Sequence, residues 1–132
     1  LLLSIHPRYI QQIASGEKQY AIRKTKCRRE IDRIVLYATQ PCGCLAGEAD
    51  VSQILSGSPE QIWEKTQGFS GLSRQEYLGY FQGSSLAVAY QLANFRRYPR
   101  QIRLPEIQLT RPPQSFCYLA PWQYRVLEQL QT

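Results

Sequence analysis

Lys18 and Arg23 are the two side chains whose types and spacing best suit chemistry on an anion. Gly16 fits the left-handed residue that closes a helix, and residues 19–23 then alternate like a half-buried strand, with Ala21 and Arg23 on one face. Residues five apart on one strand point to opposite faces, so the pair can converge only if Lys18 lies in the turn before the strand. An arginine fork and a lysine point charge together could bind a phosphate or a nucleobase carbonyl. The alternative is an ordinary solvated basic hairpin.

The elements that position the pair follow from the pattern of apolar and turn residues. The pattern predicts a strand over 1–5, a helix over 7–15, strands over 19–23, 33–39 and 45–55, a helix over 59–66, a helix that follows Ser73 and ends near Gly83, a strand over 85–92 with a further strand after it, and a last helix from Pro121. Prolines keep the stretch between residues 99 and 113 irregular. This order, β-α-β-β-β-α-α-β-β-α, predicts an α+β domain with a curled, mostly antiparallel sheet in the form of a small barrel.

The strands and the last helix also predict a core. Six apolar residues are expected inside: Ile34, Leu36, Val51, Leu86, Val88 and Leu92. Four residues of the last helix form one stripe that is expected to pack on the body: Trp122, Val126, Leu127 and Leu130. Glu48 and Asp50 lie on one face of the predicted strand over 45–55, and such alternating carboxylates are usually solvated, although both could instead face the basic segment.

Length and charge limit the class of protein. The 132 residues fit one domain, over residues 1–132, and 16 Lys and Arg against 10 Asp and Glu give a net charge of +6. The excess lies in two segments: Lys18, Arg23, Lys24, Lys26, Arg28, Arg29 and Arg33 form the first, and Arg96, Arg97, Arg100, Arg103 and Arg111 form the second. An acidic partner fits this charge, with nucleic acid first and a membrane surface well behind, although solubility alone could explain it. We expect a cytoplasmic protein with no membrane span, and the sequence leaves the oligomeric state open.

The cysteines do not carry a strong metal signature. Cys42 and Cys44 form a C-x-C pair without a second pair at zinc-finger spacing, and Cys27 and Cys117 are distant in sequence. A zinc site through these thiols and His6 is the minor alternative, and reduced, structurally silent thiols are the prediction. We predict no metal and no cofactor.

A series of short motifs along the chain resembles the ASCH domain family, which belongs to the PUA-like superfamily. The series consists of Ser4-Ile5-His6-Pro7, Ser15-Gly16-Glu17-Lys18 with Arg23, Tyr37-Ala38-Thr39 with Pro41, Gly47-Glu48, Tyr80-Phe81 with Gly83, and Pro113-Gln114-Ser115-Phe116. The resemblance spans nearly the whole chain, and the ordered series is more specific than any single piece.

The resemblance implies a PUA-like pseudo-barrel with flanking helices and a cleft for RNA or a nucleotide-like ligand. The implied function is that of an RNA- or nucleotide-binding module with a basic cleft, of the kind used in regulation of transcription or translation. Seven residues are the implied binding candidates: Lys18, Arg23, His6, Ser4, Tyr80, Arg8 and Gln114. Tyr80 would supply a face on which a base can stack.

Two alternatives to a binding module remain. Some members of the family are similar to amidohydrolases that act on an acylated cytidine with a lysine, a threonine and a glutamate. Lys18 matches that lysine, but the threonine position holds Ala21, which has no hydroxyl to act as a nucleophile. We therefore predict no catalytic residue, and a protein–protein adaptor is the second alternative.

Overall fold

The computed structural model describes residues 1–131, so the last residue of the predicted 1–132 domain lies outside the described part. The strands are β1 (Leu2–Ile5), β2 (Tyr20–Arg23), β3 (Arg33–Ala38), β4 (Cys44–Gly57), β5 (Ala87–Ile102) and β6 (Phe116–Cys117). The helices are α1 (Pro7–Ser15), α2 (Pro59–Thr66), α3 (Arg74–Tyr80) and α4 (Pro121–Leu130), with a short 3-10 helix at Leu104–Ile107. Apart from that 3-10 helix, the order of elements is the predicted one.

All six strands belong to one sheet, in the order β2-β5-β4-β3-β1-β6. β1 runs parallel to β3, and each of the other neighbouring pairs is antiparallel. β2 and β6 lie at the two ends of the order, so the curled sheet forms a half-barrel rather than a closed one. The prediction of an α+β fold on a mostly antiparallel, barrel-like sheet is confirmed.

Local capping sets the helix bounds. The imidazole of His6 accepts a hydrogen bond from the Arg8 N–H at 3.1 Å, Pro7 occupies the first turn, and Gly16 ends α1 in the left-handed region at φ 87°. Ser58 and Ser73 each begin a helix with a reciprocal capping box. These signals are local in sequence, and they fix where α1 ends and the Lys18 turn begins.

The two faces of the sheet bury different residues because strand side chains alternate. Leu3 and Ile5 of β1 and Ala21 of β2 pack with α1 in one cluster. Leu2 points the other way, into a cluster with α4 and the 3-10 helix. Ile22 of β2 packs with α2 and α3 in a third cluster. The end of β2 therefore lies between α1 on one side and α3 on the other.

Several expected positions are wrong. β5 continues through Pro99 to Ile102, where irregular chain was expected. Leu86 precedes β5 and is 40% exposed, Trp122 in the first turn of α4 is 38% exposed, and Val51 is only partly buried. The other four predicted core residues, Ile34, Leu36, Val88 and Leu92, are buried.

Glu48 is not solvated, because it is 6% exposed and surrounded by donors. One of its oxygens accepts hydrogen bonds from Arg96 Nη2 at 3.0 Å and from Nε at 3.2 Å, and the other accepts one from the Tyr98 hydroxyl at 3.0 Å. Arg33 of the first basic segment is 3.7 Å away. The strand position of Glu48 on β4 was predicted correctly. Its burial depends on Arg96 and Tyr98 of β5, which are distant in sequence.

Candidate functional site

A pocket of about 400 Å³ lies at the edge strand β2, between α1 and α3. Eight residues line it: Ile5, Tyr9, Lys18, Ile22, Arg23, Leu72, Glu76 and Tyr80. Both Lys18 and Arg23 are among them, so the two cations face one space from different elements. A larger share of the lining is apolar, which makes this pocket suitable for a flat ring as well as for an anion.

Lys18 is held in the turn between α1 and β2. Its backbone N–H donates to the Gln12 carbonyl at 3.0 Å, and the next N–H, of Gln19, donates to the Phe69 carbonyl at 2.7 Å. The side chain is only 4% exposed. Its ammonium donates to the Ser70 carbonyl and lies 5.0 Å from the centre of the Tyr9 ring. The lysine is therefore fixed rather than free to sample solvent.

The burial of Lys18 changes its protonation. Burial, and then the nearby positive charge of Arg23, lower the pKa of Lys18 from 10.5 to about 7. The amine therefore titrates near neutral pH. A strongly lowered lysine pKa beside a second cation in a pocket is a pattern found often at functional sites.

Arg23 ends the edge strand β2 and is partly buried. Its Nη1 donates to the Ile22 carbonyl at 2.7 Å, and its Nη2 donates to the Ser4 carbonyl at 2.8 Å. Burial lowers the pKa of Arg23 below its ordinary value. Ser4 thus orients Arg23 through its backbone, while the Ser4 hydroxyl donates to the Pro113 carbonyl at 2.6 Å.

The charges of the pocket are not balanced. Within residues 1–131, no carboxylate lies within ion-pair distance of Lys18 or Arg23. Glu76 lines the pocket, but its carboxylate pairs with Arg8 at 2.8 Å and accepts from the Ser73 N–H at 3.0 Å. The two cations are therefore desolvated without a matching anion, a costly arrangement that a bound anion would relieve.

Tyr80 lines the pocket and is 38% exposed. One ring contact is with Phe81, edge to face at 4.8 Å between centroids, and the Lys24 ammonium lies 4.7 Å from the ring centre. Burial raises the pKa of the Tyr80 hydroxyl, and the charge of Arg23 opposes this rise. A base that stacks on Tyr80 would compete with Lys24 for the ring face.

The other candidates lie outside the lining. Arg8 stands at the edge, where it bonds Glu76 and donates to the Tyr9 hydroxyl at 2.7 Å. His6 is exposed and caps α1, and Gln114 is exposed in the loop before β6. Neither His6 nor Gln114 is among the residues that line this pocket, so their part in ligand binding stays a prediction.

Sequence reasoning missed Tyr9 and Glu76 in the lining. Tyr9 also packs against the core beside α1, and Glu76 completes the capping box of α3, so local patterns explain both residues without a site. Ala21 is fully buried in the α1 cluster and does not line the pocket, so its position supplies neither a hydroxyl nor a carboxylate there. The pairing of α1 with α3 across the pocket had no signal in the local sequence.

Residues 24–29 form an exposed loop directly after Arg23, which we call the basic loop. Its four exposed cations are Lys24, Lys26, Arg28 and Arg29. Tyrosine hydroxyls hold its backbone: the Tyr90 hydroxyl accepts from the Cys27 N–H at 3.0 Å, and the Tyr118 hydroxyl accepts from the Arg28 and Arg29 N–H groups at 2.7 and 3.2 Å. The cations are thus presented on a backbone with fixed contacts.

The second basic segment is largely used within the protein. Arg96 pairs with Glu48 and Asp50, Arg100 pairs with Glu106 at 2.7 Å, and Arg103 donates to the carbonyls of Cys42 and Gly43.

The described residues contain no group of three or more His, Cys, Asp or Glu that could hold a metal ion. All four cysteines are free thiols. Every helix in the described part is too short or too polar to cross a bilayer.

Comparison with known proteins places this geometry in context. A sequence model of the ASCH domain matches residues 3–104. An ASCH domain-containing ribonuclease from Zymomonas mobilis is 30% identical over 123 residues, which cover 89% of this chain and 82% of that protein. The crystal structure of ASCH from Zymomonas mobilis superposes with a TM-score of 0.90 at 29% identity and covers 99% of this chain and 94% of its own.

A second relative is much longer than the chain. The large ribosomal subunit protein uL22 of Ureaplasma parvum is 28% identical over 120 residues, which cover 90% of this chain but only 39% of that protein. The chain thus spans about two fifths of that relative's length, and the similarity does not extend to the rest of it.

Proposed function

Since the chain belongs to the ASCH domain family, we propose that it binds RNA and that Lys18 and Arg23 together hold one anionic or carbonyl-bearing group of the ligand. The observation that carries this proposal is the pair of desolvated cations in one pocket without a carboxylate partner among residues 1–131. The relative from Zymomonas mobilis, whose name is that of a ribonuclease, supports RNA as the class of ligand.

The basic loop favours RNA over a free nucleotide. A nucleotide would be satisfied inside the pocket, whereas Lys26, Arg28 and Arg29 extend the positive charge along the surface beyond Arg23. Exposed cations in a row suit the repeating phosphates of a single strand, and apolar and aromatic walls suit its unstacked bases. The pocket and the loop together therefore fit a short single-stranded segment.

Binding of a fluorescent single-stranded RNA to purified variants tests the proposal. Lys18→Met keeps the buried stem and removes the charge, and Arg23→Ala removes the fork. Each should weaken binding by about 1.5–3 kcal/mol, the range for hydrogen bonds to charged groups, and the double variant should lose less than the sum because both act on one group. Arg23→Lys should not restore affinity, since a point charge cannot replace a bidentate fork.

Arg125→Ala is the matched control, because Arg125 is exposed on α4 and its loss changes the net charge by the same amount. It should change the affinity little. Additive losses in the double variant would show that Lys18 and Arg23 act separately. Equal losses of RNA affinity in Arg125→Ala and Lys18→Met would show that binding depends on the net charge of the protein and not on the pocket.

Cleavage of RNA is a second candidate, favoured by the pKa of Lys18 near 7. A neutral amine at that pKa suits general-base catalysis at neutral pH. It would remove the proton of a ribose 2′-hydroxyl, the 2′-oxygen would bond to phosphorus, and the bond to the 5′-oxygen would break with a proton supplied by water. The nucleophile then comes from the RNA, so the missing hydroxyl at Ala21 is no obstacle, unlike in the amidohydrolase alternative.

Incubation of RNA with the protein in EDTA, followed by analysis of product ends, tests cleavage. The expected products carry a 2′,3′-cyclic phosphate and a 5′-hydroxyl, and 2′-O-methyl RNA of the same sequence should stay intact. Lys18→Met should remove the activity, while Arg125→Ala should retain it. Cleavage that persists in Lys18→Met would exclude this role for the lysine.

A further inference from the structure

The hydrogen-bonding capacity of the two cations exceeds what the protein uses. A lysine ammonium has three N–H donors and an arginine guanidinium has five. Within residues 1–131, Lys18 uses one donor, on the Ser70 carbonyl, and Arg23 uses two, on the carbonyls of Ile22 and Ser4. Several donors therefore remain for a group rich in acceptor oxygens.

Arg8 links two of the side chains that line the pocket. Tyr9 of α1 and Glu76 of α3 both line it, and Arg8 bonds to both, so one side chain spans the gap between the two helices. The remaining lining includes the apolar Ile5, Ile22 and Leu72. A group that enters this pocket therefore meets apolar and aromatic side chains around the two cations.

Charge separates the two kinds of phosphate that RNA offers. A phosphodiester within the chain carries one negative charge and continues in both directions. A terminal phosphomonoester carries about −1.5 to −2 at pH 7 and has three acceptor oxygens. Two desolvated cations with spare donors match the terminal group in both charge and oxygen count.

We infer that the pocket receives a terminal phosphomonoester of an RNA strand, with the phosphate between Lys18 and Arg23 and the rest of the strand running over the basic loop. This inference rests on the proposed RNA binding and specifies which part of the RNA enters the site. The terminal nucleotide places its base against the apolar wall and the Tyr80 ring, in place of Lys24.

Competition with RNAs that differ only at their ends tests the inference. One 2′-O-methyl sequence, which resists cleavage at its own 2′-oxygens, is prepared with a 5′-phosphate, with a 3′-phosphate, with hydroxyls at both ends, and as a circle. At least one of the two phosphorylated forms should bind about tenfold tighter than the unphosphorylated form, and the circle should be as weak as the unphosphorylated form. The form that wins identifies which end of the RNA supplies the phosphate.

Two variants separate the pocket from the loop. Lys18→Met should reduce the preference for the phosphorylated end to near unity, and Arg23→Gln should do the same if the lysine variant folds poorly. Lys26→Met lies on the basic loop and should weaken all four forms by a similar factor, with the preference unchanged.

Different outcomes would contradict the recognition of a terminal phosphate and the proposed RNA binding. A circle that binds as tightly as the phosphorylated strands would overturn terminal recognition and leave RNA binding intact. Failure of every form to bind at low salt would overturn both. A preference for the phosphate that survives in Lys18→Met and in Arg23→Gln would place the terminal group elsewhere.

Discussion

At the residue scale, the burial of Lys18 is unfavourable for folding. Its amine lies out of water beside Arg23, and its pKa of about 7 means that the folded state disfavours the charged form. In the unfolded chain the same amine has an ordinary pKa of 10.5. Proteins retain such groups mainly where a ligand needs them, at some loss of stability.

The pH dependence of stability follows from this difference. Below about pH 7, Lys18 is protonated in both states and the full penalty applies. Between about pH 7 and 10.5 the unfolded state binds more protons, so the free energy of unfolding rises with pH by up to about 1.4 kcal/mol per unit. Urea denaturation at pH 6, 7.5 and 9 should therefore show that the stability of the wild type rises relative to Lys18→Met.

Lys65→Met provides the control, since Lys65 is an exposed lysine of α2. Its stability difference from the wild type should stay flat over the same range. A flat difference for Lys18→Met as well would mean that Lys18 is charged and solvated in the folded protein at all three pH values.

Lys18 and Glu48 differ in how far the sequence alone could predict their surroundings. The sequence was sufficient to predict that Lys18 and Arg23 can converge, because Gly16 marks the helix end and period-two alternation orients Arg23. It was not sufficient for Glu48, whose burial depends on Arg96 and Tyr98 of β5, about fifty residues away. Pairing partners across a sheet carry no local signal.

At the element scale, the loop between α2 and α3 holds Lys18 in place. The Ser70 carbonyl accepts from the ammonium, and Gly71, at φ 76°, packs against the lysine stem. A Cβ at Gly71 would lie 2.5 Å from Gln12 Oε1, the end of a flexible side chain, and 3.1 Å from Lys18 Cδ, so the lysine stem would have to shift.

Gly71→Ala should therefore weaken RNA binding by displacing Lys18, besides its loss of stability. Gly68→Ala is a close control, because Gly68 also has a positive φ, of 86°, but a Cβ there would meet nothing within 4 Å. Both variants should lose about 1–2 kcal/mol of stability from the left-handed backbone. Only Gly71→Ala should also lose affinity in the fluorescence assay, and equal affinities in the two variants would show that the loop does not set the lysine position.

The bounds of the elements were predictable where the signals are local. α1 and α2 begin at their prolines and end at the expected residues because caps and end signals lie within a few positions of each end. Irregular chain was expected from Pro99 because proline removes a ladder donor, but β5 continues to Ile102. Pro99 falls between Arg97 and Ile102, where the register with β4 shifts, so the missing N–H leaves no ladder position unpaired.

At the scale of the whole molecule, the positive charges behind the net charge of +6 are partly neutralised in one region and left exposed in another. The second basic segment is partly neutralised by Glu48, Asp50 and Glu106. The basic loop has no such partners among residues 1–131, and its four cations remain exposed beside the pocket. Composition alone could not distinguish the first basic segment, which contains the basic loop, from the second, because both are arginine-rich and of similar length.

The difference predicts how binding depends on salt. Lysine and arginine contacts with phosphates release condensed counterions, so the logarithm of the association constant should fall linearly with the logarithm of the salt concentration. A slope of about −2 to −4 is expected for a few contacts, at roughly 0.7 per phosphate on a single strand. The double variant Lys26→Ala/Arg28→Ala should make the slope shallower by about 1.4, whereas Arg111→Ala, an exposed arginine of the second segment, should leave it unchanged. An unchanged slope in the loop variant would place the phosphate contacts on another face, and a binding constant independent of salt would indicate a neutral ligand in the pocket instead of an RNA strand.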